Sequence, residues 1–416
     1  MKMKRILYIS QYFYPEVFRG NDIAFHWAEL GHEVHVITGI PNYPGGTFFE
    51  GYGLFKRRTE IVRGVKVTRL PIVPRGKGKL TLMLNYLSFL LVSSVYVFFM
   101  SLRRRYDFVF VQQLSPVFMA VPAVIYKKLR HVPVFTWVLD LWPENLVVAG
   151  GINNKKVLNM IDRLVKILYA NYDKILISSM SFRQSVLDHG SSPDKVIYFP
   201  QWADNPSGAK TINDARVPRL PEGFKILFAG AIGEAHGFEC NMQAALLTKD
   251  YPNIKWVIVG DGRKLDWVRK FVQDNGLENT VLLMGRYDAS CMSSFFEQAD
   301  VLLASLSDSP IFNMYLPAKI SAYFAAGKPV IACMNGEGAD VVTTAGVGWH
   351  VAAGDAENLA QLAINLSAES KTVMAEMGRK ARAYYQDNFE ISVALDRLDN
   401  LVGISNQIVK PSDALS

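Results

Sequence analysis

Short apolar runs alternate with longer amphipathic stretches along most of the chain. Runs at residues 4–9, 33–38, 107–111, 132–139, 174–178 and 195–199 read as strands. Between them, residues 21–30, 116–130, 155–170 and 181–189 carry the wider spacing of helices. Residues 200–223, PQWADNPSGAKTINDARVPRLPEG, break the pattern with Pro, Gly, Asn and Asp, and read as a linker. The alternation then restarts, with strands expected at 224–229, 254–259, 280–284, 301–305 and 330–333, and closing helices near 355–368 and 371–402. Strands alternating with helices imply parallel sheets, so two doubly wound α/β domains are expected.

One stretch departs from this rhythm. Residues 80–102 hold no charge, are flanked by Arg75, Lys77 and Lys79 before and Arg103, Arg104 and Arg105 after, and just reach the length of a bilayer span. Asn85 and four serines inside it, and its place between two strands of one sheet, favour a crossover helix that also touches a membrane interface. A plain core helix and a true span are the other readings.

Composition narrows the class. Of 416 residues half are hydrophobic and 20% charged, which describes a globular chain rather than a disordered one. Three cysteines without a C-x-x-C spacing argue against a disulfide framework or a zinc site and suit a reducing compartment. The N-terminal MKMKRILYIS has too short an apolar run for a signal peptide. Basic residues outnumber acidic ones two to one in residues 1–200, whereas acidic residues prevail afterwards. A basic half suits a membrane surface or a phosphorylated substrate. Its charges are not interleaved on a recognisable nucleic-acid module, so no nucleic-acid partner is expected.

The candidate chemistry lies at strand ends. Residues 305–340 contain two successive strand–turn–helix units, one entering a helix at Leu316-Pro317-Ala318-Lys319, the other at Asn335-Gly336-Glu337-Gly338-Ala339. Pro317 suits the first helical position, and unfilled helix N–H groups beside a lysine make an anion site, here for a diphosphate. Ordinary βα turns would show the same glycines. Arg19-Gly20-Asn21 at the first helix start is a second candidate anion site, although it lacks G-x-G-x-x-G. The turns at Gly230, Gly233 and Glu234, at Asp261-Gly262-Arg263 and at Gly285-Arg286 end three further strands. Asp140 and Glu144, in DLWPEN, place two carboxylates four apart at a strand's carboxyl end, as site residues or as helix-capping groups. The Pro- and aromatic-rich loop from Ile40 to Phe55 is long enough to suggest function.

Taken in order, YFYPEVFRGND…GHEVHVITGIPNYP, DLWPEN, YFPQWAD, VGDGR, GRY, LPAKISAYFAAGKPV and NGEGA resemble the retaining family 4 glycosyltransferases of GT-B fold. The likeness is greatest to bacterial O-antigen and capsule transferases of N-acetyl-fucosamine-type sugars. It runs from about residue 4 to about residue 400. It implies two Rossmann-like domains facing a central cleft: residues 1–203 on the acceptor and membrane side, a linker at 204–223, and a nucleotide-sugar domain at 224–382. A terminal helix at 383–402 would cross back. By the resemblance, Gly260–Arg263 and Gly285-Arg286 hold base and ribose. Lys319, the amides near Leu316 and the Gly336–Ala339 turn hold the diphosphate, and Arg19-Gly20-Asn21 closes from the other domain. Asp140 contacts sugar or acceptor.

The reaction so implied moves a sugar, an N-acetylated 6-deoxyhexosamine, from a UDP-sugar to a polyprenyl-diphosphate-linked saccharide. It would retain anomeric configuration by front-face attack, with no metal or cofactor; no D-x-D motif occurs. The site of action would be the cytoplasm, peripherally on the inner face of the membrane. Met314 and Ala322 stand where many members carry a Glu pair, and Ala231, Asn145 and Gln201 replace residues of the resembling subgroup. A UDP-sugar 2-epimerase on the same fold and a catalytically silent scaffold subunit are the alternatives.

Overall fold

The computed structural model describes residues 2–148, 154–203 and 214–404; residues 204–213 of the expected linker lie outside them. The chain divides into two compact units, residues 1–199 with 395–416, and residues 200–394.

Unit 1 holds an eight-stranded sheet: β1 (Arg5–Ile9), β2 (Glu33–Gly39), β3 (Thr59–Val62), β4 (Val65–Leu70), β5 (Phe108–Gln113), β6 (Val134–Val138), β7 (Lys174–Ile177) and β8 (Val196–Tyr198), in the order β3-β4-β2-β1-β5-β6-β7-β8. All neighbours are parallel except the β3–β4 pair. The helices are α1 (Gly20–Glu29), α2 (Lys79–Arg103), α3 (Val121–Arg130), α4 (Glu144–Val148), α5 (Lys155–Asn171) and α6 (Phe182–Asp188). β5 and β6 are buried along their whole length, which is why they read as unbroken apolar runs. The hairpin of β3 and β4 is not among the expected strands. β3 is an edge strand alternating exposed and half-buried residues, and its turn is made by Arg63 and Gly64, both at positive φ.

α2 is amphipathic in an unusual sense. Its inward residues include Asn85, Ser93 and Ser101 beside Phe89, Val97 and Met100, while Leu80, Met83, Leu84, Leu87, Leu91, Val95, Phe98, Phe99 and Leu102 are exposed. Asn85, Ser88, Ser93 and Ser101, polar groups that argue against a span, find partners inside unit 1, whereas the Ser94 Oγ is buried without one among the described residues. Asn85 accepts from Gln11 Nε2 (2.8 Å) and donates to Val73 O (2.6 Å), and Ser88, Ser93 and Ser101 bond carbonyls of their own helix. The alternative reading of a plain core helix fails, because the apolar face is the outer one.

Unit 2 holds six parallel strands, β9 (Phe224–Ala229), β10 (Ile254–Val259), β11 (Val281–Gly285), β12 (Val301–Ser305), β13 (Val330–Cys333) and β14 (Gly348–Val351), in the order β11-β10-β9-β12-β13-β14. β14 was not expected; its four residues include no long apolar run. The helices are α7 (Phe238–Leu247), α8 (Leu265–Asp274), α9 (Met292–Gln298), α10 (Ala318–Ala325), α11 (Glu337–Thr344), α12 (Ala356–Ser367), α13 (Lys371–Asn388) and α14 (Ile391–Val402). The sheet is buried on both faces, by one apolar cluster around Phe238, Trp256 and Leu359 and another around Phe324, Val330 and Tyr385.

The strand order reverses between β9 and β12. Such a switch point leaves a crevice outside the carboxyl ends of the strands, where α/β sheets bind ligands. The single helix expected over 371–402 is broken at Phe389-Glu390, where Phe389 is buried and Glu390 forms a bridge with Ala203. From Leu395 onward α14 belongs to unit 1.

Candidate active site

At the switch point of unit 2, α10 follows β12 and brings Lys319 back toward the end of β9. The helix begins at Ala318, one position later than expected, with Pro317 at its N-cap, and no side chain caps it. The Lys319 Nζ is buried and has no hydrogen-bond partner among the described residues. It lies 3.8 Å from the centre of the Phe228 ring. A Cβ added to Gly230 would come within 3.4 Å of it. Burial pulls its pKa down to about 7, because an ammonium out of water has only the ring face to compensate it.

His236 stands against the same ring, 5.8 Å between centres, with its Nδ1 buried and unpartnered among the described residues. Burial, and then the charge of Lys319, lower its pKa to about 4, so it is neutral near pH 7. Asn241 on α7 donates to Ser305 Oγ (2.8 Å), which donates to His236 O (2.8 Å); the Asn241 Oδ1 is a third buried atom without a partner. Buried polar groups are rarely left unpaired, so a concentration of them at a strand switch marks a ligand site.

The turns around Lys319 are built on glycine. The Gly230 N–H donates to Val259 O and the Gly260 N–H to Gly285 O, which knits the ends of β9, β10 and β11 together. At Gly260 (φ +153) a Cβ would fall 1.9 Å from Gly230 O, and at Gly262 2.3 Å from Ile232 O, so no other residue fits. These backbone groups therefore serve first to join the turns, and Gly230 and Gly285 offer fewer contacts than expected. The Asp261 carboxylate accepts from the Gly262 N–H (2.7 Å), and Arg263 and Arg286 are exposed. Gly233 O accepts from the His236 N–H. Glu234 pairs with Lys264 (2.8 Å), a lysine the sequence reading passed over and which also bonds Glu239.

The second turn opens α11. A Cβ at Gly336 would sit 2.0 Å from Asn313 O, and one at Gly338 would meet Met334 Sδ at 2.5 Å and Pro317 Cδ at 3.0 Å. The start of α11 thus packs directly on the entry to α10. Ala339 and the Glu337 side chain are buried, and Leu316 packs against the core. Asp308 ties the loops by accepting from Asn335 (3.0 Å) and Asn313 (3.3 Å). Lys319, the Gly230–Gly237 turn and the two helix starts are therefore brought together, whereas Arg263 and Arg286 stay on the surface.

In unit 1 the remaining candidates take different places. Arg19 lies 4.0 Å from Asp22. Gly20 is enclosed: a Cβ would fall 2.1 Å from Gln112 Oε1 and 2.3 Å from Tyr8 Oη. Asn21 is buried and donates to Glu16 O (2.7 Å). Gly20 and Asn21 thus hold the start of α1 in place, and the Asn21 Oδ1 is buried without a partner among the described residues. Asp140, past the end of β6, accepts from the Ser115 N–H (2.9 Å), and Trp142 Nε1 donates to Ser115 Oγ (3.0 Å). Glu144 accepts from Ser185 Oγ (2.5 Å), with its other oxygen buried and unpartnered among the described residues.

Next to Asp140 runs an aromatic wall to which the long loop from Ile40 to Phe55 contributes Tyr43. Trp142 packs on Phe118, Phe118 on Tyr86, and the guanidinium of Arg75 lies over Tyr86 and Tyr43 and donates to Tyr12 Oη (2.9 Å).

Comparison with known proteins gives this geometry its family. Residues 20–202 match the Glycosyl transferase 4-like domain, and residues 223–369 match Glycosyl transferases group 1. An Escherichia coli (strain K12) protein named as a colanic acid biosynthesis glycosyl transferase, WcaI, is 27% identical over 312 residues, 72% of this chain and 75% of its own. The crystal structure of a glycosyltransferase from Rickettsia africae superposes with a TM-score of 0.69 at 16% identity, over 98% of this chain and all (100%) of that one. Anabaena Alr3699/HepE, solved with UDP and glucose, gives 0.66 at 14% identity over 96% of this chain and 99% of its own. Both halves match in order and the fold is shared end to end, so the chain belongs to the group 1, family 4 glycosyltransferases and has their GT-B-like fold.

Proposed function

We propose that the protein is a retaining transferase that moves an N-acetylated 6-deoxyhexosamine from a UDP-sugar to a polyprenyl-diphosphate-linked saccharide during surface polysaccharide synthesis. The observation that carries this reading is the buried, unpartnered Lys319 Nζ at the switch point of unit 2. A diphosphate there would give the ammonium its counter-charge, and the uncapped starts of α10 and α11 add N–H groups. The UDP complex of the Anabaena structure and the colanic acid name of the Escherichia coli relative agree with this donor and this class of product.

In the reaction, the bond between the anomeric carbon and the diphosphate oxygen breaks while an acceptor hydroxyl bonds to that carbon from the same face. The hydroxyl proton passes to the departing phosphate oxygen. Lys319 and the helix N–H groups stabilise the charge that grows on the diphosphate, a fixed electrostatic contribution that needs no reorganisation. In this reading no metal is required, and Asp140 and Glu144 serve the sugar or acceptor side.

The outer face of α2 supports a lipid-linked acceptor and a peripheral position on the cytoplasmic membrane. An open groove of about 630 Å³ runs along it, lined by Leu91, Val95 and Phe99 and bounded by Arg103 and Arg104. Apolar side chains beside basic ones suit an anionic bilayer, where each Lys or Arg adds about 1 kcal/mol.

A thermal-shift screen of nucleotides and nucleotide-sugars tests the donor assignment. UDP and UDP-N-acetylhexosamines should stabilise the protein, by about 2.7 kcal/mol at one hundred times the dissociation constant. The assignment falls if no uridine nucleotide raises the melting temperature, or if Lys319→Met shows the same shift as wild type.

A further inference from the structure

Glu16 is buried in unit 1, in the loop that follows β1. Its Oε1 accepts from the backbone N–H groups of Asn42 (2.8 Å) and Tyr43 (2.7 Å), and its Oε2 from the Phe13 N–H (3.3 Å). One carboxylate therefore fastens the loop after β1 to the loop after β2. Its own carbonyl accepts from Asn21 Nδ2, which ties the same point to the start of α1.

The two loops so joined carry three rings in mutual contact. Tyr12 and Phe18 stack at 5.5 Å, and Tyr43 lies 5.4 Å from each. Tyr43 is exposed, Phe18 half-buried, and the Arg75 guanidinium sits 5.2 Å over the Tyr43 ring. Rings of this kind take the C–H face of a sugar, and a neighbouring guanidinium takes a phosphate.

We propose that Glu16 is a positioning residue for acceptor binding: its carboxylate latches the loop of Tyr12 and Phe18 to the loop of Tyr43, and so presents these rings and Arg75 to a phosphorylated saccharide. The proposal rests on the acceptor reading given above.

The latch is sensitive to pH. Burial pushes the pKa of Glu16 up to about 7, against the pull of the three N–H groups and of Arg69. Arg69, on β4, is itself paired with Glu60 on β3 and donates to Tyr14 O. The other charged or titratable neighbours are Tyr12, held neutral by burial, and Arg75, which bonds it. As pH falls through about 7 the carboxylate gains a proton; the neutral carboxyl still has lone pairs, but the bonds from the Phe13, Asn42 and Tyr43 N–H groups lose their charge assistance and the latch weakens.

The test uses wild type, Glu16→Gln, Glu16→Asp and Tyr43→Ala, with a short-chain polyprenyl diphosphate bearing one N-acetylhexosamine as acceptor. Wild type, at saturating UDP-sugar, should show an acceptor KM that rises roughly three- to tenfold from pH 8 to pH 6, while its UDP dissociation constant matches that of Glu16→Gln at each pH. Glu16→Gln should have a raised acceptor KM that is flat across this range, and Glu16→Asp should restore part of the pH dependence. Tyr43→Ala, which leaves the latch intact, should raise acceptor KM about tenfold without altering UDP binding. Hydrogen exchange at the Asn42 and Tyr43 amides should be faster in Glu16→Gln than in wild type at pH 8. An unchanged acceptor KM in Glu16→Gln and Tyr43→Ala, or an equal loss of UDP affinity and acceptor affinity, overturns the proposal. If the acceptor reading itself is wrong, wild type transfers no sugar to the lipid-linked probe, which removes the acceptor role while amide exchange still reports the latch.

Discussion

Lys319 shows how one side chain couples stability to ligand binding. In the free protein its amine is buried with a pKa of about 7, below the value of about 10.4 in an unfolded chain. A depressed lysine pKa stabilises the fold fully only above the unfolded value, and that contribution is lost as pH falls toward 7. Lys319→Met should therefore melt higher than wild type at pH 7 without nucleotide, by about 1–2 kcal/mol once partial exposure of the side chain is allowed for. The same variant should lose roughly 10- to 150-fold in UDP affinity, since a charged hydrogen bond contributes about 1.5–3 kcal/mol. Calorimetry on both proteins reads the two effects together.

A second expectation follows from the sign of that shift. A bound diphosphate raises the Lys319 pKa, so between pH 7 and the bound value the protein takes up a proton as UDP binds. Affinity should fall with rising pH in that window, by at most about tenfold per unit. Titrations in buffers of different ionisation enthalpy measure the uptake, which should vanish in Lys319→Met. His236, neutral near pH 7, contributes nothing to this uptake unless the ligand protonates it.

Among elements, α2 separates what holds the fold from what faces outward. Leu91 and Phe99 are more than half exposed, at 64% and 55%, so Leu91→Glu with Phe99→Glu should leave urea stability nearly unchanged, within about 0.5 kcal/mol for each. The pair should abolish binding to vesicles containing anionic lipid, measured by flotation. Retained flotation would remove α2 from the membrane contact. The length and apolar character of this helix were legible in residues 80–102, but its orientation was not. Asn85 looks like a blemish in an apolar stretch until Gln11 and Val73 are seen to satisfy it. The β3–β4 hairpin was illegible for a related reason: the four-residue edge strand TEIV carries no apolar run, and its one charge, Glu60, is recognisable as an inward group only once it is seen paired with Arg69.

Across the whole molecule, contacts between distant segments complete each unit. Asp399 on α14 is buried, accepts from Trp27 Nε1 (2.8 Å) and lies 2.8 Å from His26 Nε2, 372 and 373 residues away in the chain. Asp399→Ala would leave the buried indole N–H without its acceptor and should destabilise unit 1 by about 2–3 kcal/mol, seen as an earlier urea transition for that unit. In unit 2, Cys240 and Cys333, 93 positions apart, lie with sulfurs 3.7 Å apart as free thiols. Their wide spacing in sequence gave no sign of that proximity.

The alternation of strands and helices, the two α/β halves, the glycines at strand ends and Lys319 beside a helix start can all be read from residue order. These are local properties, set by periodicity, turn chemistry and steric limits within a few residues. Tertiary structure alone decided which of those strand ends meet. It placed the Lys319 Nζ, His236 Nδ1 and Asn241 Oδ1 as buried atoms without partners among the described residues around the β9–β12 switch, joined the glycine turns to one another, and enclosed Gly20 at the start of α1. Strand order and burial are long-range properties: they depend on which apolar faces pack together, and no window of neighbouring residues contains that information.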